Sequence, residues 1–251
     1  QNTIADKLKI SQSAVSQAVN KIRWKVLRKL YQNQDKVYSC LKKDETQVDN
    51  RSQFTGIIGS WDSGLTAINR VDEILKNINK NFSAEVKSDF VITMPGVDSR
   101  YEYQGLITNN HKLIDIILYM VTEIKGLRLG IGEGTLKTEI KESAIGMDGP
   151  VFYRAREALE ETKKQKSLVY YKKRNEVLST YISKILILFI DIAENWTEKQ
   201  LEAVKMKKKG YSQRKIADKL NKSRTAITNR LARADWKVFV YIRDLLTNFL
   251  D

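Results

Sequence analysis

The sequence predicts an α+β protein in which a central sheet domain lies between two all-α helical units. The first observation is that short apolar runs alternate with stretches of helical periodicity in the middle of the chain, as in domains that pack helices on a sheet. The second is that both ends have helical patterns and that one end repeats the other. We therefore expect a helical unit at residues 1–43, a linker at 44–53, the sheet domain at 54–194 and a second helical domain at 195–251.

The repeat aligns residues 3–26 with residues 215–238 without a gap. Ten of the 24 positions are identical, and others, such as Val15 and Ile227, differ conservatively. Such agreement indicates two copies of one structural unit. The first copy lacks the helix that precedes the second copy, so we expect residues 1–43 to hold an incomplete unit.

The second copy predicts three short helices, at residues 198–208, 213–220 and 224–234. Each follows a residue whose side chain can cap a helix N-terminus. These capping residues are Thr197, Ser212 and Ser223. The last two helices are joined by a tight turn, and the second of them carries the small Ala226, which is typical of a helix-turn-helix unit. The second helix of such a unit enters the major groove of DNA.

The solvent-facing side of that helix carries side chains that can read base edges or bind phosphates. In the C-terminal copy the predicted DNA-binding residues are Lys222, Arg224, Thr225, Thr228, Asn229, Arg230, Arg233 and Lys237. In the N-terminal copy they are Gln12, Ser13, Ser16, Gln17 and Asn20. The scaffold positions match while the exposed positions differ, so we expect the two units to read different half-sites. The alternative is a pair of basic helical hairpins that pack against each other or against a protein partner.

The net charge of +14 is concentrated at the two ends of the chain. Residues 1–43 hold 10 Lys and Arg against 2 Asp and Glu, and residues 196–251 hold 14 against 6. Residues 44–195 hold 20 against 22, so the positive charge accompanies the repeats. This distribution indicates a polyanionic partner.

The sequence also bears on localisation. A single cysteine, Cys40, excludes an internal disulfide, and no apolar run reaches the length of a membrane span. We therefore expect a cytoplasmic protein with no membrane partner.

The central region has a strand-helix-strand-strand-helix-strand order, which favours a ferredoxin-like sheet with its helices on one face. Predicted strands include residues 54–59, 90–94, 127–131 and 168–171. Predicted helices are residues 65–79, 111–124 and 151–164. The most apolar stretch, residues 185–192, is too short for a membrane span and predicts a buried helix.

Three segments of this region closely resemble the SatD family of bacterial proteins. They are LRLGIGEG at residues 127–134, DGPVFYRAREA at 148–158 and EYQGLI at 102–107. The resemblance covers roughly residues 54–238, including the C-terminal helix-turn-helix. It implies a sheet domain similar to the palm of nucleotidyl cyclases and related polymerases. In such a palm, an Asp that ends the first strand and another in a Gly-Asp hairpin hold divalent metals against a triphosphate.

This sequence departs from the palm pattern at both metal positions. Ser60 stands where the first Asp is expected, and Arg100 and Tyr101 replace the Gly-Asp pair. Asp62 or Asp98 would have to substitute for the missing carboxylates. We therefore expect no catalytic residue, no metal and no cofactor, with a metal-dependent nucleotide-binding or nucleotidyl-cyclase-like enzyme as the alternative.

These features together predict a sequence-specific DNA-binding regulator of transcription or of a mobile element, associated with the bacterial nucleoid. The expected partners are double-stranded DNA, a second copy in a homodimer, and a small-molecule or nucleotide effector. The central domain is expected to space the two units, to dimerise or to sense a ligand. A protein-interaction adaptor is a further alternative.

Overall fold

The computed structural model describes residues 53–93, 100–108 and 112–250, apart from the side chain of Asn248. The chain divides into two compact units, Gln1–Asp49 and Asn50–Asp251, and every described residue lies in the second unit. The predicted N-terminal unit is therefore outside the described residues, as is Asp98. The same holds for its candidate residues Gln12, Ser13, Ser16, Gln17 and Asn20.

Five strands form one mixed sheet with the order β2-β3-β1-β4-β5. The strands are β1 (Phe54–Asp62), β2 (Val86–Thr93), β3 (Arg100–Ile107), β4 (Arg128–Gly134) and β5 (Val169–Lys172). Neighbouring strands are antiparallel except β4 and β5, which are parallel. The predicted α+β class is confirmed, and β1, β2, β4 and β5 overlap the strands expected from the sequence.

Eight helices accompany the sheet within the described ranges. They are α1 (Ile68–Asn81), α2 (Leu113–Glu123), α3 (Pro150–Lys164), α4 (Glu176–Glu194), α5 (Glu198–Lys208), α6 (Gln213–Lys219), α7 (Arg224–Arg233) and α8 (Trp236–Leu250). Over the part of the chain that the structure describes, no helix is both long enough and apolar enough to cross a bilayer.

Helix α4 extends well beyond the apolar run that predicted it. It begins at Glu176, where the Asn175 side chain accepts hydrogen bonds from the Val177 and Leu178 backbone. Its buried face includes Ser183, whose hydroxyl hydrogen-bonds the backbone of Tyr171 in β5. Because a buried serine interrupts the apolar pattern, periodicity alone showed only the C-terminal half of the helix.

Helices cover both faces of the sheet, so the prediction that they lie on one face is wrong. Gly59 pairs with Tyr103, whose hydroxyl lies 3.3 Å from the Met120 sulfur of α2. The preceding residue of β1, Ile58, points to the opposite face and pairs with Gly130, against which α3 packs. Successive residues of a strand point to opposite faces, which places α2 and α3 on opposite sides.

Helix α3 lies unusually close to the sheet because β4 presents glycines to it. A Cβ on Gly130 would lie 2.2 Å from the Ala155 carbonyl oxygen, and one on Gly132 would lie 2.3 Å from the Ala155 nitrogen. Only glycine permits such contact between two backbones. The glycine-rich stretch of β4 is therefore explained by packing.

The C-terminal helices dock on the sheet domain through an aromatic cluster. The Phe239 ring of α8 stacks on Phe189 of α4 at 4.6 Å between centroids. Trp196 and Trp236 pack on the same Phe239 ring at 4.8 and 5.8 Å. Two ion pairs add to this junction, because α5 reaches α2 through Lys205–Glu123 at 2.9 Å and Lys208–Asp115 at 2.8 Å.

Replacing Gly132 tests the contact between α3 and β4. We expect Gly132→Ala to lower the free energy of unfolding by about 3 kcal/mol, since its Cβ meets backbone that cannot move aside. Gly64→Ala is the matched control, because that Cβ would meet only a side-chain oxygen of Asp62 at 3.2 Å. The control is expected to change stability by about 0.5 kcal/mol or less. Urea unfolding measures both, and equal effects of the two substitutions would contradict the close packing.

Candidate nucleic-acid interface

Helices α5, α6 and α7 share a small core of their own. Its buried residues are Ala203, Val204, Ile216, Ala217, Ile227, Leu231 and Ala234. Partly buried Trp196, Tyr211, Leu220 and Trp236 close its edges, together with Met206. Ile216 and Ala217 of α6 and Ile227 and Leu231 of α7 pack here, so the opposite sides of these two helices face solvent.

Local capping fixes where each of these helices begins. The hydroxyl of Thr197 accepts from the Gln200 nitrogen at 3.3 Å, and the Gln200 side chain accepts from the Thr197 nitrogen in return. Ser212 and Ser223 accept from backbone nitrogens three residues on, at 3.2 and 3.1 Å. All three predicted caps are confirmed. Gly210 takes a φ of +82° just after α5, as expected for a residue that follows a helix C-terminus.

Helix α7 exposes an arc of polar and basic side chains. Arg224, Thr225, Thr228, Asn229 and Arg233 are all exposed, while the opposite face of the helix carries the buried core residues. The side chains of Arg224, Thr225 and Asn229 form no hydrogen bond or ion pair within the described part of the molecule. Their polar groups are therefore available to a partner.

One edge of this arc lies beside α6. The Thr228 hydroxyl is 3.0 Å from the Gln213 Oε1 and 3.0 Å from the Arg224 carbonyl oxygen. Its proton is thus used within the protein, which leaves the methyl group and the oxygen lone pairs for an outside contact. Gln213, at the start of α6, was not among the predicted residues because its role depends on this contact between helices.

The other edge of the arc lies beside the first turn of α5. Asn229, Arg230 and Arg233 border a groove there, and Lys199 stands on its far side. Arg230 was expected beside the exposed face, but its side chain is only 17% exposed and its Nη1 lies 3.5 Å from Glu202. Arg230 is therefore largely covered and lies between the exposed arc and α5. Lys199 was missed because it lies on a different helix from the predicted residues.

Further cations surround the arc without acidic partners in the described residues. Lys222 lies exposed in the turn before α7, and Lys237 lies exposed in the first turn of α8. Arg214 and Lys215 are exposed on α6, and the Lys215 ammonium lies 4.6 Å from the Tyr211 ring centroid. The last two residues were not predicted, although their position just after the Ser212 cap was a usable signal.

The sheet domain presents an arginine where the palm resemblance implies a metal. The Arg100 guanidinium donates to the Ser60 hydroxyl and carbonyl, both at 3.2 Å, and to the Gly126 carbonyl at 2.8 Å. Burial lowers the pKa of Arg100, and the nearby Arg128 lowers it further, whereas Asp62 raises it. Arg100 remains cationic at neutral pH because an arginine pKa starts far above 7.

The carboxylates that the structure describes in this region do not assemble into a metal site. Asp62 turns its Oδ1 to the Gly64 nitrogen at 2.8 Å, and its neighbour across the sheet is Arg100. Within the described ranges, no three His, Cys, Asp or Glu side chains come together as metal ligands would. The residues at the palm positions therefore do not fit a divalent cation, since a fixed guanidinium repels one.

Comparison with known proteins gives one match. The model of the SatD family matches residues 63–250, which spans the sheet domain after β1 and helices α5 to α8. No curated protein and no solved structure matches the chain.

Removing the cap of α7 tests how this helix is held. Ser223→Ala should lower the free energy of unfolding by about 1 kcal/mol, because the Ala226 nitrogen loses its acceptor. Ser83→Ala, at an exposed position, is the control and should change stability by about 0.5 kcal/mol or less. Thermal unfolding measures the free energy of unfolding of both variants. An unchanged value in Ser223→Ala would mean that the cap does not hold α7 in place.

Proposed function

The chain belongs to the SatD family, and we propose that it is a sequence-specific DNA-binding regulator of transcription or of a mobile element. In this proposal, helices α5 to α7 form a helix-turn-helix domain and α7 is the recognition helix. The observation that carries the proposal is the exposed arc of α7, which combines unpaired base-reading side chains with flanking cations.

The dimensions of α7 support this role. Its 10 residues give a length of about 15 Å at the usual rise of a helix. A B-DNA major groove is about 12 Å wide and admits one α-helix. The capped N-terminus of α7 carries Arg224 and Thr225, and recognition helices contact base edges mainly with their N-terminal residues.

The chemistry of the arc also suits base reading. An arginine such as Arg224 can donate two hydrogen bonds to guanine, and an asparagine such as Asn229 can pair with adenine in the same way. The methyl group of Thr228 can contact the methyl group of thymine. Lys222 and Lys237 flank the arc, and Arg214 extends the cationic rim along α6, where the phosphates on either side of the groove would lie.

For the sheet domain we propose a scaffolding role without catalysis. The order β1-α1-β2-β3-α2-β4 supports a ferredoxin-like, palm-like ancestry, and the Arg100 contacts with Ser60 favour the loss of metal chemistry over the enzyme alternative. The domain would set the distance between the two DNA-reading units, the second of which is the sequence repeat at residues 3–26. Dimerisation and binding of a small effector are further proposals for this domain.

Arg224→Ala tests base reading. We expect its affinity for a preferred duplex to fall by about 1–3 kcal/mol, with base preference relaxed at one position, because a bidentate contact is lost. Fluorescence anisotropy with single-base variants of the duplex measures this preference. Lys87→Ala, at an exposed position on β2, is the control and should leave the preference unchanged. An unaltered preference in Arg224→Ala would remove this residue from base reading.

Lys237→Ala tests phosphate contact. We expect it to weaken binding to all duplexes about equally and to reduce the slope of log affinity against log salt by about one. A selective loss on one sequence would instead assign Lys237 to base reading. Titrations of a preferred and a random duplex between low and moderate salt separate these outcomes.

A further inference from the structure

A groove of about 470 Å³ separates the first turn of α5 from the side of α7. Its walls combine cations, amides and a hydroxyl with a single methyl group. They are Thr197, Lys199, Gln200, Ala226, Asn229, Arg230 and Arg233. Three of these lining side chains are cationic and none is acidic, although carbon atoms make up most of the exposed lining.

Arg230 is the buried member of this set, and one of its donors has no acceptor. Its Nη1 is inaccessible and makes no hydrogen bond with the described part of the protein. Glu202 lies 3.5 Å from that nitrogen, close enough for charge attraction but without hydrogen-bond geometry. Arg230 also lines the groove, so its positive charge would stabilise an anion bound there.

The remaining polar side chains divide into those that cap α5 and those that make no polar contact within the described part of the chain. Thr197 and Gln200 cap α5, each through a side-chain oxygen that accepts a backbone hydrogen bond. The side chains of Lys199, Asn229 and Arg233 form no hydrogen bond or ion pair with other described residues. Free donors therefore lie on both walls of the groove.

We infer that this groove binds a phosphate group, with Lys199, Arg230 and Arg233 as its ligands. Arginine and lysine side chains supplied by two helices can bind a tetrahedral oxyanion, and charge-assisted hydrogen bonds of this kind are strong. The source of the phosphate is the DNA backbone, where the inference rests on the proposed function, or a free phosphorylated molecule. The position favours DNA, because the groove borders the exposed arc of α7 on the side away from α6.

The first experiment measures duplex binding by the full chain. The double variant Lys199→Gln with Arg233→Gln changes two exposed residues, so it should unfold at the wild-type temperature. We expect its affinity for a random duplex to fall about tenfold or more, and the salt slope to fall by about one. Lys87→Gln, which removes a charge from β2, is the control and should bind as the wild type does.

The second experiment titrates inorganic phosphate and pyrophosphate at constant ionic strength. Nuclear magnetic resonance of the Arg230 and Arg233 Nε–H groups reports occupancy of the groove. We expect saturable shifts in the wild type, and no saturable shift at Arg230 in the double variant.

The two experiments together decide the inference and its source. An equal loss of affinity for all duplexes in the double variant, together with saturable phosphate shifts in the wild type, assigns the groove to the DNA backbone. Saturable phosphate shifts with unchanged duplex binding assign it to a free phosphorylated ligand. The same shifts in a wild-type chain that binds no duplex would contradict the proposed function but would still support phosphate binding in the groove. Unchanged duplex binding together with no saturable shift would overturn the inference.

Discussion

The packing of Phe239 against Phe189, Trp196 and Trp236 is the contact on which the arrangement of the C-terminal helices depends. Only two residues separate α7 from α8, so the docking of α8 on α4 fixes the direction of α7. The indole nitrogen of Trp196 strengthens this constraint by donating to the Ala234 carbonyl in that short connection, at 2.9 Å. Aromatic pairs of this type contribute about 0.5–1.5 kcal/mol each beyond the burial of their area. A helix held this firmly can present its exposed side chains without rearrangement.

The sheet domain suits the task of a rigid support. The glycines of β4 allow α3 to lie directly on one face, while α2 lies on the other and α4 bonds the backbone of the edge strand β5. Arg100 ties the end of β1 to the loop before β4 through three hydrogen bonds. The positions that would hold a metal in a palm therefore contribute hydrogen bonds to the fold. This arrangement is the physical basis for proposing a scaffold in place of an enzyme.

The features predicted well from the sequence are those that depend on local interactions. The caps Thr197, Ser212 and Ser223 act within one helical turn, so α5, α6 and α7 were placed to within about a residue or two. Features that depend on contacts between distant segments were missed. The position of α3 on the second face follows from Gly130 and Gly132 meeting a helix some 25 residues away, roughly as in other βα packings. The groove beside Lys199 likewise requires two helices to be brought together, which no spacing rule reveals.

The central claim is that the exposed side of α7 reads DNA sequence. The most direct test is to select duplexes from a random pool with the full chain and to compare affinities for the best selected and for random duplexes at one salt concentration. The account predicts an enriched motif that is bound roughly 10³-fold or more tightly than random DNA, as specific readers do. Equal affinities, or a pool that shows no enrichment, would contradict it.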